Sequence, residues 1–141
     1  MAYKCNVLVV ANRTALSIGL EAALRARLDS GPASFTLLVP VGRDAEAQDT
    51  VRVMAARLRE AGFEVYGRAG DPDPLLAVLE VWSPAEFDEI IVSTLPASTS
   101  RWMRADLVRR IERQTGALVR HVEAREPPTF SARRQAVASR A

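Results

Sequence analysis

With 141 residues and a hydrophobic fraction of 48%, the chain is of a size and composition to bury one core of ordinary proportions, so one domain with a tail is expected. Nineteen Lys and Arg residues against seventeen Asp and Glu leave a net charge of +2, which lacks the excess of a dedicated nucleic-acid binder. The single cysteine, Cys5, excludes an internal disulfide; no apolar run approaches the ~18 residues of a membrane span, no signal segment is recognisable, and a cytoplasmic location is expected.

The run from Val7 to Val10 is short, apolar and β-branched, which predicts a first strand. Leu16, Leu20, Ala23, Leu24 and Leu28 then recur at helical spacing. They predict a helix from Thr14, as its N-cap, to about Leu28, with Glu21 and Arg25 paired on the exposed face. A second strand follows at FTLLVPV, and a second helix from Asp44 to Ala61 carries Val51, Met54, Ala55 and Leu58 on one face before Gly62 ends it. FEVYGR is a third strand. Asp73 and Pro74 then open a short helix as N-cap and first-turn proline, with Leu75, Leu76, Leu79 and Trp82 expected to face inward. DEIIVST is a fourth strand, Leu107, Val108 and Ile111 mark a fourth helix ending at Gly116, and ALVRHV is a fifth strand.

Strands that are apolar on both faces, separated by amphipathic helices, predict an α/β fold: a doubly wound five-stranded parallel sheet with helices on both faces. The domain is expected over residues 1–123. Beyond it, residues 124–141 lose periodicity and carry Pro127-Pro128 and four arginines, which predicts a flexible tail or, after Pro128, a docking helix.

Doubly wound sheets bind ligands outside the carboxyl ends of the strands, where the strand order reverses. For the order 3-2-1-4-5 that point lies between the first and fourth strands. The loop after the first is Ala11-Asn12-Arg13-Thr14, and the stretch STLPASTSRWMR over residues 93–104 closes the fourth and crowds five hydroxyl side chains beside Arg101 and Arg104. Hydroxyls, guanidinium groups and a helix N-terminus bind an anion without help from glycine. Asn12, Arg13, Ser93, Thr94, Ser98, Thr99, Ser100 and Arg101 are therefore candidates for one anion-binding crevice.

The chain resembles the universal stress protein family over residues 4 to 123, in its first strand VLVVAN, the connection GDPDP followed by LLAVLE, the strand DEIIV, and the closing TGALVRHVE. The resemblance supports the strand order 3-2-1-4-5 and implies a nucleotide of the ATP or AMP type, with Mg²⁺, as ligand. It adds Val39 and Gly70 to the candidate site, Gly70 matching a family glycine after the third strand. ATP-binding members carry an acidic residue at the end of the first strand and a Gly-x-x-Gly-x9-Gly-Ser/Thr pattern after the fourth. Here Asn12 takes the acidic position, Ser93 and Pro96 the first two glycine positions, and Asp106 and Leu107 the last glycine and hydroxyl positions. The glycine loop is thus missing, and an acid at 106 repels phosphate unless the loop aligns with a gap or the aspartate instead caps the following helix. Family members also pair through the fifth strand, which implies a homodimer through residues 117–122.

Asp71 and Asp73 are carboxylates of the type that holds Mg²⁺ beside a nucleotide, but Asp-Pro at a helix start accounts for both as turn and cap. His121, the single histidine, falls in the fifth strand away from the carboxyl-end loops, and Cys5 has nothing beside it in sequence that activates a thiolate. Trp102 and Met103 either pack on the core, cover the crevice or meet a partner. No nucleophile, base and metal pattern is recognisable, so the expectation is a ligand-responsive regulatory module without catalytic turnover. The alternatives are a dimeric interaction module that binds no nucleotide and a weak metal-dependent nucleotide hydrolase using Asp71 and Asp73.

Overall fold

The computed structural model describes residues 4–12, 14–96 and 101–124, with the backbone alone at Met103 and Arg104. The chain order is β1 (Cys5–Val10), α1 (Ile18–Asp29), β2 (Ala33–Val39), α2 (Ala45–Glu60), β3 (Val65–Ala69), α3 (Pro74–Val81), β4 (Glu89–Thr94), α4 (Arg101–Arg104), α5 (Leu107–Thr115) and β5 (Val119–Glu123). All four strand pairings are parallel and the sheet order is β3-β2-β1-β4-β5, as expected.

The strands alternate between two buried faces, because successive side chains point to opposite sides of a sheet. Val7, Val9, Phe35, Leu37 and Ile91 meet α1 and α2 in one cluster. Leu8, Val10, Leu38, Ile90 and Val92 meet α3 and α5 in the other. A central strand covered on both faces must be apolar at every position, and VLVV at 7–10 is at most 1% exposed throughout.

The local signals act as their chemistry dictates at most boundaries. Asp44 Oδ1 accepts from Ala47 N at 2.8 Å to start α2, and Asp73 Oδ1 accepts from Leu75 N at 2.9 Å to start α3. Glu21 and Arg25 pair at 2.8 Å. Gly116 ends α5 at φ 69°, its N–H donating to Glu112 O.

Two expectations are corrected. Thr14 does not cap α1; Ser17 does, accepting from Leu20 N at 3.1 Å, because residues 14–16 form a turn in which Ser17 N donates to Thr14 O, and Ala15 N donates to Asn12 O. Leu75 is buried and Trp82 packs on the core as expected, but Leu76 and Leu79 do not face inward and are 48% and 40% exposed, since α3 buries Ala77, Val78 and Val81 beside Leu75. The fourth helix is α5, marked by Leu107 and Ile111 and ended by Gly116 as expected; α4 is an added turn inside the 93–104 stretch, and Asp106 between the two adopts φ 56°.

At the amino ends of the strands, Arg27 and Glu89 form a buried ion pair with Nε to Oε1 at 2.6 Å and side chains 8% and 9% exposed. Burial disfavours the charge on Arg27. The hydrogen bond and charge of Glu89 more than compensate and raise the guanidinium pKa above its ordinary value. Ala124 is the last described residue; its N–H donates to Thr94 O at 2.7 Å, and its Cβ lies 2.9 Å from where a side chain at Gly19 would begin. The rest of the expected tail, 125–141, lies outside the described residues.

Candidate functional site

A cleft of about 680 Å³ opens at the carboxyl ends of β1 and β4, the position at which the strand order reverses. Its floor is a pair of hydroxyls. Thr14 and Ser93 are 2% and 1% exposed, and their oxygens lie 2.6 Å apart. Two hydroxyls own two hydrogens, and a single bond between them uses one. The other is left for an acceptor in the cleft that both residues line.

The hydroxyls are placed by strand parity. Ser93 follows Ile91 on the α1 face of the sheet and so reaches Thr14, while Thr94 follows Val92 on the α5 face and reaches β5. Thr94 Oγ1 donates to Leu95 O at 2.9 Å, and His121 Nε2 lies 2.7 Å from the same oxygen. His121 therefore reaches a residue of the cleft and does not stand apart from the carboxyl ends as expected.

Asn12 lines the cleft beside the hydroxyl pair, and Arg101 and Arg110 line it from α4 and α5. The lining also includes the apolar side chains of Pro40, Pro72, Pro74, Leu95 and Trp102. Trp102 both packs against the α3–α5 core cluster and lines the cleft, so it joins two of the roles open to it from the sequence. Cation and hydroxyl donors together with flat apolar surface in one cleft suit a ligand with an anionic group and a planar apolar body.

Of the candidates from the sequence, Asn12, Ser93, Thr94 and Arg101 come together in the cleft. Val39 and Gly70 are not among its lining residues. Gly70 N donates to Val39 O at 3.0 Å, and a Cβ at Gly70 would lie 2.8 Å from Leu38 Cδ1 and 3.0 Å from Ala77 Cβ. Gly70 is a close-packing glycine that joins the ends of β2 and β3, and the prolines that follow these strands form the cleft wall. Arg13, Ser98, Thr99 and Ser100 lie outside the described residues, as do the side chains of Met103 and Arg104.

Thr14, Trp102 and Arg110 are lining residues that the sequence did not assign to the site. Thr14 read as a cap, and Arg110 sits one turn inside a helix whose start was unknown. Asp73 also lines the cleft, but its Oδ1 is spent on the amides of Leu75 and Leu76, and Asp71 Oδ1 accepts from Asp73 N at 2.8 Å. Both carboxylates thus serve the turn and cap, and among the described residues no three His, Cys, Asp or Glu side chains are gathered to hold a metal. No helix among the described residues is long and apolar enough to cross a membrane.

No protein-family model and no curated protein sequence matches the chain. Its structure is similar to that of a universal stress protein in complex with cAMP, with a TM-score of 0.64 at 16% identity over 87% of this chain and 99% of that one. It is also similar to the universal stress protein from Archaeoglobus fulgidus in complex with dAMP, with a TM-score of 0.52 at 18% identity over 87% and 100% of the two chains. A second structure of the Archaeoglobus fulgidus protein gives a TM-score of 0.53 at 18% identity over 86% and 100%. The chain thus has the universal stress protein fold, the one that its sequence resemblance implied.

Proposed function

We propose that the chain is a divergent universal stress protein that binds a small phosphorylated ligand, of the AMP type, in the cleft between β1 and β4. It acts as a regulatory module without turnover of its own. The observation that carries this reading is the buried Thr14–Ser93 hydroxyl pair, which keeps one uncommitted hydrogen at the floor of a cleft lined by Arg101 and Arg110. The ligands named for the similar structures, cAMP and dAMP, each join one phosphate group to a purine, which is the combination that the polar floor and apolar lining accommodate. The phosphate is held by side chains and not by a glycine-rich backbone. Pro96 supplies no N–H at a position where the family's phosphate loop has glycine.

Binding to the folded state alone raises apparent stability, by about 2.7 kcal/mol at a hundredfold excess over Kd. A thermal-shift series with AMP, cAMP, ATP and sulfate, with and without Mg²⁺, is expected to raise Tm most with the monophosphates and to need no Mg²⁺. No rise with any of them contradicts the reading. The proposal includes a homodimer through β5, supported by the position of that strand at the edge of the sheet and by Leu118, 60% exposed just before it.

A further inference from the structure

The two tryptophans of the chain are placed differently. Trp82, at the end of α3, stacks on Phe87 with ring centroids 6.1 Å apart and planes at 21°, and it is not among the lining residues of the cleft. Trp102, on α4, has no ring partner among the described residues. It is half-buried: part of its surface packs against the α3–α5 core cluster, and part lines the cleft. A large apolar ring left partly open to water is stabilised when a ligand covers it with apolar surface of its own.

The setting of the indole defines what it can select. Arg101 precedes it in α4 and Arg110 lines the cleft from α5, so donors for a phosphate and an aromatic surface share one cleft. Every nucleobase carries a π-face that stacks on an aromatic side chain, whereas a sugar phosphate carries none. An indole in the lining therefore separates nucleotides from phosphorylated sugars by the base and leaves the phosphate to the polar donors. Because Trp102 is already anchored on the core cluster, it has little rotamer freedom left to lose when a ligand arrives.

We infer that Trp102 is a specificity-determining residue, a stacking platform for an aromatic base, so that a nucleoside monophosphate binds and a phosphorylated sugar without a base binds weakly. The inference rests on the reading of the cleft as a phosphorylated-ligand site and adds to it the residue that selects the base. Trp102→Leu removes the π-face and keeps an apolar side chain against the core, whereas Trp102→Phe keeps a smaller π-face. Trp82→Phe leaves Trp102 as the single indole of the chain, so that its emission reports on the cleft.

Calorimetric titration of AMP and ribose 5-phosphate into the wild type, Trp102→Leu and Trp102→Phe tests it, with the emission of Trp82→Phe followed in the same titrations. The wild type is expected to bind AMP about tenfold or more tighter than ribose 5-phosphate, and Trp102→Leu to weaken AMP about tenfold, as for the loss of one stacked base. Ribose 5-phosphate is expected to change by about threefold or less in Trp102→Leu, because it has no face to stack. Trp102→Phe should regain most of the affinity for AMP. AMP should quench the emission of Trp82→Phe, and ribose 5-phosphate should not. Equal affinity of the wild type for the two ligands, or a Trp102→Leu protein that holds AMP unchanged, overturns the platform and leaves the phosphate site standing. Equal weakening of both ligands overturns it as well, because Trp102 would then only shape the cleft. Should Trp102→Leu fail to melt cooperatively, the emission decides: no quenching of Trp82→Phe at saturating AMP overturns the platform. If neither ligand binds while the wild type and Trp102→Phe melt cooperatively, the reading of the cleft and the platform fall together.

Discussion

Thr14 and Ser93 illustrate how a hydroxyl pair differs from two hydroxyls. Buried and joined by one hydrogen bond at 2.6 Å, the two depend on each other, so removing one leaves its partner's polar group stranded. Ser93→Ala is expected to cost about 1–3 kcal/mol in chemical denaturation, whereas Thr14→Val combined with Ser93→Ala is nearly neutral, because both partners become apolar at little change of shape. The double variant should nevertheless lose any ligand-induced rise in Tm. The buried pair of Arg27 and Glu89 follows the same logic with higher stakes: Glu89→Ala leaves an uncompensated buried charge and is expected to cost about 3–5 kcal/mol, again read by denaturation. On the surface, Glu64 accepts from Lys4 Nζ at 2.8 Å, and this hydrogen bond is the main cause that holds its carboxyl below the usual glutamate range. A group whose pKa is depressed on folding stabilises above its unfolded value, so this contribution is complete at neutral pH and fades as pH falls through the folded value.

Among the elements, α2 and β3 show the tightest fit. A Cβ at Gly67 would lie 2.7 Å from Val51 Cγ1 and 3.2 Å from Val51 O, so the helix rests directly on the strand backbone. Gly67→Ala is expected to lower stability by about 1–3 kcal/mol by pushing α2 outward, measured as a shift in denaturation midpoint. Such approaches leave no mark in a sequence beyond an unexplained glycine. What was legible were the strands, because VLVV and EIIV are apolar on both faces, and the caps at Asp44, Asp73 and Gly116, because their chemistry is local. Ser17 was missed as a cap because Thr14 offers the same oxygen three residues earlier, and only the turn over residues 14–16 decides between them. Leu76 and Leu79 misled for a related reason: in a helix of eight residues with mostly apolar side chains, the phase of the buried stripe is set by what lies beneath. Four of the ten candidate site residues meet in the cleft; Val39 and Gly70, which came from the family resemblance, support its walls from behind.

For the molecule as a whole, the two ends of the sheet divide the labour. The amino ends carry the buried Arg27–Glu89 pair and the surface Lys4–Glu64 pair, and the carboxyl ends carry the hydroxyls and the guanidinium groups. Parallel strand order does this by topology alone, since every loop that leaves a carboxyl end arrives at the same side and β1 and β4 part there. The edges differ as well. Leu118 beside β5 is 60% exposed, and a dimer through that edge would bury it; light scattering is expected to give a dimer mass for the wild type and a monomer for Leu118→Asp combined with Val119→Lys. A monomeric wild type would remove the dimer from the proposal and leave the cleft untouched.

The central claim is that the carboxyl ends of β1 and β4 hold a phosphorylated ligand through side chains. Amide chemical-shift mapping of the isotope-labelled protein during titration with AMP addresses it most directly. The largest changes are expected on Asn12, Thr14, Ser93, Thr94, Leu95, Arg101, Trp102, Ala105, Leu107 and Arg110, which line the cleft, with the amino ends of the strands unmoved. Changes centred on any other surface, or none at saturating AMP, would contradict it.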